Sequence, residues 1–326
     1  MSTARRRRLL TLVGQRIVQI PLVLVVVSIL TFWLVQVVPG TPVGTPWAVR
    51  DGGAGARLER RPRTRRVPRE PVPALDRRVR HGDWGTSFVY SEPVRDLVLG
   101  RLGNSLLLGA YAFVIMVPVA IALGAVQAYR QGRRSDRAIT VGLLTVSAVP
   151  EFVVGIVLLL VFAVWLKVVP VQASGALDAG FGERLRVLTL PAVVLALAYL
   201  AVLTRMVRAG TIETIRSQFH RTAVLKGLTN GQIVRRHVIR NALIPTFSVL
   251  GIYLGTLLGG SVIVETLFSY PGLGALLVSA AERKDALLLE SGVMLAGALS
   301  LGALLLTDLV FVVVDPRIRF ERKATA

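Results

Sequence analysis

One carboxylate of this 326-residue chain lies near the centre of an apolar run, where an acidic group is unusual. Glu151 lies in the stretch VPEFVVG, directly after Pro150, with long apolar runs on both sides. An acidic side chain at the centre of a bilayer costs about 2.5–3.5 kcal/mol on insertion scales, so its presence requires a reason. We expect Glu151 either to face a translocation path, where it would bind a cationic amine, or to pair with a neighbouring helix or a partner subunit.

Three other carboxylates lie nearer to the ends of apolar runs. Glu265 and Asp308 are expected to be structural anchors rather than solute-binding groups. Glu290 opens the last apolar run, where the positive end of a helix dipole stabilises an anion, so a structural role is expected there too.

The sequence patterns of enzymes and metal sites are missing. The chain has no cysteine, and its three scattered histidines do not make a convincing zinc site. It contains no G-x-x-x-x-G-K-S/T phosphate loop, no nucleophile elbow and no H-E-x-x-H pattern. We therefore expect the chain not to be an enzyme, and any ATP hydrolysis to take place on a partner.

A polar stretch, RTAVLKGLTNGQIVRRHVIRNALIP (221–245), interrupts the apolar runs of the second half. Its composition predicts a short helix that stops at Gly227, a residue free to adopt positive φ. The capping-box pattern of residues 229–232 opens a second helix, which would enter the membrane near Pro245. Two helices held between membrane spans suit a protruding surface for a cytoplasmic partner. An ordinary solvated loop is the alternative, and the flanking spans disfavour a DNA-binding helix-turn-helix.

Six apolar segments are long enough to position these groups across a bilayer, whose core of about 30 Å needs about 20 helical residues. Hydrophobic residues make up 53% of the chain and its mean hydropathy is +0.62, which indicates an all-α polytopic membrane protein. The segments lie near 17–38, 102–128, 138–166, 187–204, 243–267 and 286–314.

The basic residues behind the formal charge of +20 indicate orientation. Cytoplasmic loops carry an excess of Lys and Arg, and four basic segments alternate onto one side, which places both termini in the cytoplasm. These segments hold five basic residues in 1–16, four in 129–137, eight in 205–240 and four from 315 onward, against three in 167–186 and two in 268–285. Residues 39–100 hold twelve, although a segment of about 60 residues lies at the limit of this rule.

Ordered motifs along nearly the whole chain resemble the permeases of ABC importers, and in particular the dipeptide/oligopeptide/nickel branch. The polar stretch carries a form of the family's cytoplasmic-loop signature, with Arg221-Thr222-Ala223, then Gly227, then the ending Ala242-Leu243-Ile244-Pro245. The other matches are VVPGTP after the first span, GDWGTS (82–87), VPEFVVG (149–155), TLPA (189–192), VETLFSYPGLG (264–274) and DPRIRF (315–320). Thr41 departs from the pattern, because the family commonly has Asp there.

The resemblance implies a type I ABC importer permease with six transmembrane helices in the plasma (inner) membrane. The polar stretch would be its ATPase-coupling loop, with the coupling residues Arg221, Thr222, Ala223, Gly227, Leu228, Ile244 and Pro245. The implied partners are a second, similar permease, two cytoplasmic ABC ATPase subunits, an extracytoplasmic substrate-binding protein and membrane lipid, with no nucleic acid. ATP and Mg would be bound by the ATPases, and this chain would hold no cofactor or metal.

Three glycines recur every four residues along the fifth apolar segment: Gly251, Gly255 and Gly259. This spacing puts small residues on one helix face, where another helix can approach closely. The neighbouring helix is expected to come either from the same chain or from the second permease.

Residues 47–80 break the resemblance. They are rich in Arg, Pro and Gly and have almost no apolar periodicity, which predicts a disordered or loosely packed segment. Two hypotheses remain: a divergent extracytoplasmic loop, or a local reading-frame error, since GC-rich codons read out of frame yield such mixtures. Resequencing the DNA separates them.

These features combine into one interpretation, a permease subunit of an ATP-driven ABC importer of di- and oligopeptides. The predicted organisation is a cytoplasmic N-terminus (1–16), a first span (17–38), an extracytoplasmic segment (39–100), a five-helix core (101–314) with the coupling loop at about 205–242, and a cytoplasmic tail (315–326). The alternatives are import of nickel or another small solute by the same architecture, or a non-transporting membrane scaffold or sensor.

Overall fold

The structure, a computed structural model, describes residues 3–37, 84–176, 180–217, 225, 253, 255–256 and 262–314. These residues form α-helices and no strand, apart from one antiparallel bridge between Thr86 and Pro93. The helices are α1 (Thr3–Val37), α2 (Val94–Tyr129), α3 (Arg134–Ala148), α4 (Glu151–Leu159), α5 (Phe181–Arg216), α6 (Val262–Leu267), α7 (Leu273–Glu282) and α8 (Ala286–Val314). A π-helical turn, Leu160–Trp165, extends α4, and Ser174–Ala176 form a 3-10 turn.

Three helices are long and apolar enough to cross a membrane: α2, α5 and residues 286–309 of α8. The bent pair α3 and α4 adds a fourth span if it is counted as one, and α1 contributes a shorter apolar stretch, Val18–Leu34. The all-α class is therefore confirmed. Most of the predicted fifth span lies outside the described residues, so six crossings stay a prediction.

Helices α1, α2 and α5 begin before the apolar segments that predicted them, and α2 and α5 also extend beyond them, whereas α8 has the predicted bounds, 286–314. α1 begins at Thr3, inside the predicted cytoplasmic N-terminus, and α5 ends at Arg216, inside the predicted coupling loop. Helical hydrogen bonding continues into polar sequence because long basic side chains can keep their charged ends in water. Hydropathy marks the membrane-crossing part of a helix rather than its ends.

The predicted third span, 138–166, is not one straight helix. Its two halves, α3 and α4, meet at an angle of 101°. Val149 has extended backbone angles (φ −85°, ψ 133°), since a proline disfavours the helical conformation of the residue before it. Pro150 also lacks the N–H that a continuous helix would use, and it begins α4 instead, with its carbonyl accepting from Val153 N–H at 2.9 Å. The bend places Glu151 in the first turn of a new helix.

The core is formed mainly by α2 and α5, which pack along each other. Small residues permit close approach: a Cβ added to Gly124 would lie 2.8 Å from both the Thr204 carbonyl oxygen and Val207 Cβ. The buried side chains of this core include Leu108, Met116, Leu188, Leu195, Leu203 and Phe268.

The first and last helices pack together through polar side chains as well as apolar ones. Arg16 on α1 donates to the Asp308 carboxylate on α8 through Nε at 3.0 Å and Nη2 at 2.6 Å. Ser28 on α1 donates to Glu290 Oε1 on α8 at 2.7 Å. The structural role expected for Asp308 is confirmed. Glu290 also has a partner within the chain, but it lies beyond the first turn of α8, so the expected effect of the helix N-terminus is not what holds it.

Candidate functional site

Polar side chains gather near both ends of α2. Ser105 belongs to one group and Gln127 to the other, and both side chains are buried. Their separation of 22 positions along one helix corresponds to about 33 Å, close to the thickness of a bilayer core. The two groups therefore belong at opposite faces of the membrane.

At the first end, the fully buried carboxyl group of Glu265 joins three helices in a cluster with Ser105, Leu273 and Ala275. Ser105 Oγ on α2 donates to Glu265 Oε1 at 2.5 Å, and the backbone N–H of Ala275 on α7 donates to Oε2 at 3.0 Å. Ser105 Oγ in turn accepts from the N–H of Leu273 at 2.8 Å. The expectation that Glu265 is a structural anchor is confirmed.

The segment between α6 and α7 is tied to the same end of α2. Tyr270 Oη donates to the carbonyl of Asn104 at 2.9 Å, and Asn104 Nδ2 donates to the carbonyl of Pro271 at 2.8 Å. The N–H of Ala173 donates to the carbonyl of Phe268 at 2.8 Å, which brings the connection after the π-helical turn to this face as well. Two segments predicted to share a side of the membrane therefore meet.

A second buried carboxylate, Asp285, secures the residues that precede α2. Asp285 Oδ2 accepts from Ser87 Oγ at 2.6 Å and from the N–H of Val89 at 3.1 Å. Its Oδ1 accepts from the N–H of Leu288 at 3.2 Å, as a residue capping the N-terminus of α8 does. Ser87, the last residue of the GDWGTS motif, thus binds the residue that caps the N-terminus of α8.

At the opposite end, Asp136 forms an ion pair with Arg208. Arg208 Nε donates to Asp136 Oδ1 at 3.0 Å and Nη2 donates to Oδ2 at 2.8 Å, a two-pronged arrangement. The N–H of Gly132 adds a donor to Oδ2 at 3.0 Å. Gln127 donates to the Asp136 carbonyl at 3.3 Å and to Thr140 Oγ1 at 2.8 Å. These residues join the turn between α2 and α3 to α5.

Glu151 lies between these two ends, half-buried in the first turn of α4. Its helix packs against α5, which carries Tyr199. The ring of Tyr199 lies against that of Tyr253, with centroids 4.5 Å apart and planes inclined by 39°. Arg205 is exposed further along α5. Two adjoining aromatic rings therefore lie on or beside the helix against which α4 packs, and aromatic faces can attract an ammonium ion.

Most of the other predicted site residues lie outside the described residues. This holds for all seven coupling residues, Arg221, Thr222, Ala223, Gly227, Leu228, Ile244 and Pro245, and for Gly251 and Gly259. Gly255 is described and buried, and its carbonyl accepts from Ser300 Oγ on α8 at 3.2 Å. A Cβ added to Gly255 would lie 3.2 Å from the Ser300 carbonyl oxygen, so this glycine packs within the chain.

Sequence reasoning missed Asp136, Arg208 and Asp285. A signal was present for Asp136, because it is the one acidic residue in a segment that holds four arginines. An isolated acidic residue among basic ones, at the end of an apolar run, indicates a specific ion pair. For Asp285, the signal was its position just before a long apolar helix, where a capping residue is favoured.

No cluster of three or more His, Asp or Glu side chains with metal-binding geometry occurs among the residues that the structure describes. The carboxylates of Glu265, Asp285 and Asp136 accept hydrogen bonds from neighbouring protein groups instead. These three groups therefore hold helices and turns together.

Comparison with known proteins identifies similar chains over most of the length. Residues 120–320 match the family model described as the binding-protein-dependent transport system inner membrane component. The oligopeptide transport system permease protein OppB of Salmonella typhimurium is 36% identical over 241 residues, 74% of this chain and 77% of that protein. A protein of Brucella abortus named as a peptide transport system permease is 34% identical over 318 residues, 95% of this chain and 99% of that protein.

The fold also resembles a solved structure. A chain from the MetNI methionine ABC transporter, in an inward-facing conformation, superposes with a TM-score of 0.51 at 20% identity. The match covers 67% of this chain and 94% of the other. At this identity the likeness concerns the fold alone.

Proposed function

From the premise that the chain belongs to the family of binding-protein-dependent transport system inner membrane components, we propose that it is the permease subunit of an importer of di- and oligopeptides. Members of this family are multi-pass membrane subunits of ABC transporters, so the chain is a transporter component and not an enzyme. The observation that carries the choice of peptides is the alignment of 95% of the chain with a relative named as a peptide permease.

The partners in our proposal are a second permease, two cytoplasmic ATPases and an extracytoplasmic binding protein. ATP and Mg would be bound by the ATPases, because this sequence has no phosphate loop. The coupling loop, with Arg221, Thr222, Ala223, Gly227, Leu228, Ile244 and Pro245, would dock on an ATPase. Closure of the ATPases would then turn the attached helices as rigid bodies, the mechanism of alternating access.

We further propose that Glu151 lies on the translocation path and binds the amino terminus of a peptide. Its carboxylate is half-buried at the bend between α3 and α4, inside the predicted membrane region, where an ionisable group favours a transport role. The faces of Tyr199 and Tyr253 would add a cation–π attraction for the same ammonium group.

Both termini are proposed to be cytoplasmic, and cysteine labelling tests this orientation. The chain has no native cysteine, so single cysteines at positions 90, 133, 178 and 226 can be labelled individually. A membrane-impermeant maleimide added to intact cells should label positions 90 and 178, whereas 133 and 226 should react only after permeabilisation. Labelling of position 226 from outside would contradict the coupling-loop proposal.

Uptake by a reconstituted complex tests the transport function. Vesicles that contain this chain, a second permease and two ATPases should accumulate a labelled tripeptide when ATP and binding protein are supplied, whereas the chain alone should hydrolyse no ATP. ATP-driven accumulation of nickel but not peptide would favour the alternative substrate. A complex that assembles but transports neither solute would favour the alternative function of a non-transporting membrane scaffold or sensor.

The Gly227→Val variant, assayed in the same vesicles, tests the proposed role of the coupling loop in docking on an ATPase. If Gly227 adopts positive φ, a β-branched residue costs at least about 1 kcal/mol and tilts the first helix of the loop. Uptake and substrate-stimulated ATP hydrolysis should fall several-fold, with abundance near normal. Gly302→Val on the exposed side of α8 is the control, since a Cβ added there meets no atom within 4 Å. Unchanged coupling in Gly227→Val would place ATPase docking elsewhere.

A further inference from the structure

Helix α3 has one buried side chain among the residues that the structure describes, and it lies at the first end of the helix. Asp136, in its first turn, is 4% exposed, and it is the one buried residue of the helix. Ser135, Ile139, Leu143 and Val146 are half-buried along one face, and the remaining residues of α3 are exposed. The position of α3 relative to α5 therefore depends strongly on the contact that Asp136 makes.

That contact has the geometry of a rigid joint. Both nitrogens of the Arg208 fork, Nε and Nη2, meet different oxygens of Asp136, at 3.0 and 2.8 Å. Such pairing restricts direction as well as distance, which a single charged contact does not. The Asp136 side chain is 6% exposed and that of Arg208 is 29% exposed, so water competes little for the carboxylate.

The surrounding groups hold the acid in place. Gly132 has φ of +79° and turns its N–H to Asp136 Oδ2, and Thr140 Oγ1 donates to the Asp136 carbonyl at 2.8 Å. Gln127 on α2 is 2% exposed and bonds to both Asp136 and Thr140. The ends of α2 and α3 are thus one unit. This unit is held to α5 by the packing of α2 along α5, by the Arg208 fork on Asp136, and by a longer, exposed contact from Arg216 Nη2 to Gln131 Oε1 at 3.5 Å.

The Asp136–Arg208 ion pair lies between the proposed coupling loop and the proposed translocation path. Beyond Arg208, α5 continues for about 12 Å to Arg216, and the proposed coupling residues begin five positions later in the chain, at Arg221. At its far end, α3 reaches the bend that carries Glu151. A displacement of α5 can therefore pass to the proposed path through α3, provided that the two helices move together.

We propose that Asp136 and Arg208 are positioning residues that transmit the movement of the coupling loop from α5 to α3. This inference rests on the proposed import function. Without the pair, α5 would still move when the ATPases close, but α3 would follow incompletely. ATP hydrolysis would then continue while less substrate crosses the membrane per ATP.

The first test measures uptake and ATP hydrolysis together in the reconstituted complex. Asp136→Asn keeps the shape of the side chain and removes its charge, and Arg208→Lys keeps a charge and removes the fork. We expect basal ATP hydrolysis and protein abundance close to wild type, and peptide uptake per ATP lower by about fivefold in each variant.

The Arg16–Asp308 ion pair is the matched control. It also joins two helices through Nε and Nη2 of an arginine, here both to Asp308 Oδ2 at 3.0 and 2.6 Å, but it links α1 to α8 and lies outside the route from α5 to α3. Asp308→Asn should leave uptake per ATP unchanged. If it lowers this ratio as much as Asp136→Asn does, the effect is a general loss of packing and the proposal is overturned.

A distance measurement tests the joint without reference to the substrate. Spin labels at the exposed positions Leu144 on α3 and Ala209 on α5 report the separation of the two helices. In the wild-type complex this distance should be the same without nucleotide and with trapped ATP, and in Asp136→Asn it should change or broaden when ATP is trapped. A distance that stays fixed in the variant contradicts the proposal.

Rescue by a crosslink completes the test. A short bifunctional thiol reagent that bridges Asp136→Cys and Arg208→Cys should restore uptake per ATP, because it replaces the joint without its charge. A wild-type complex that hydrolyses ATP but imports no peptide would refute the proposed function. A transporting wild-type complex whose Asp136→Asn variant keeps the normal ratio would refute the joint alone.

Discussion

Gly272→Ala is expected to lower the free energy of unfolding by at least about 3 kcal/mol, because it forces the buried Glu265 carboxyl group away from its partners. An added Cβ would overlap Cδ and both oxygens of Glu265. That side chain has no exposed surface, and its oxygens accept from Ser105 and Ala275 at 2.5 and 3.0 Å. Since folded proteins are stable by about 5–15 kcal/mol, much of the total would be lost.

Thermal unfolding of the detergent-solubilised chain, followed by size-exclusion chromatography, measures this effect. Gly302→Ala is the matched control, because it makes the same change on α8 and a Cβ there meets no atom within 4 Å. We expect Gly302→Ala to be as stable as wild type and Gly272→Ala to lose most of the monodisperse protein. Equal stability of the two variants would mean that Glu265 has room to move, and the described packing would be wrong.

Glu151→Lys is expected to reduce uptake of peptides with a free amino terminus by about 10- to 100-fold. A hydrogen bond between charged groups contributes about 1.5–3 kcal/mol, and each 1.4 kcal/mol corresponds to a factor of ten in binding. The lysine reverses the charge that the proposed site presents to an ammonium group. Glu151→Gln, which retains a hydrogen-bond acceptor, should lose about tenfold.

Peptide chemistry separates binding from structural damage at this position. Wild-type complexes should import a free tripeptide faster than its N-acetylated form, and the Glu151 variants should lose that preference. Glu183→Gln is the control, since Glu183 is a half-exposed carboxylate paired with Arg186 at 3.5 Å. If both Glu151 variants keep the preference and lose only stability, the carboxylate pairs within the protein and is not on the path.

The membrane-spanning parts of the chain could be predicted because hydropathy is a local property. The segments 102–128, 187–204 and 286–314 each lie within a long apolar helix, α2, α5 and α8. The helix ends were less accurate, since helical hydrogen bonding continues into polar residues that carry no apolar signal. Pro150 was visible in the sequence, but the 101° angle at that point also depends on how α4 packs against α5 and α6.

The polar sites were predicted only in part. Glu265, Asp308 and Glu290 were recognised as structural because a carboxylate in an apolar setting needs a partner, yet their partners could not be identified. Ser105 lies 160 residues from Glu265, and Arg16 lies 292 residues from Asp308. No local pattern connects residues at such distances, since the contacts form only when helices pack.

The sequence by itself determined that this protein spans a membrane by helices and belongs among the importer permeases, because apolar length and ordered motifs are read along the chain. Only the tertiary structure decided which charges meet. Asp136 and Arg208 each appear in the sequence as a charge at the end of an apolar run, 72 residues apart. They form one joint because α2, α3 and α5 pack closely enough to bury the acid and exclude most water. The energy of that contact depends on geometry and desolvation, which exist only in the folded chain.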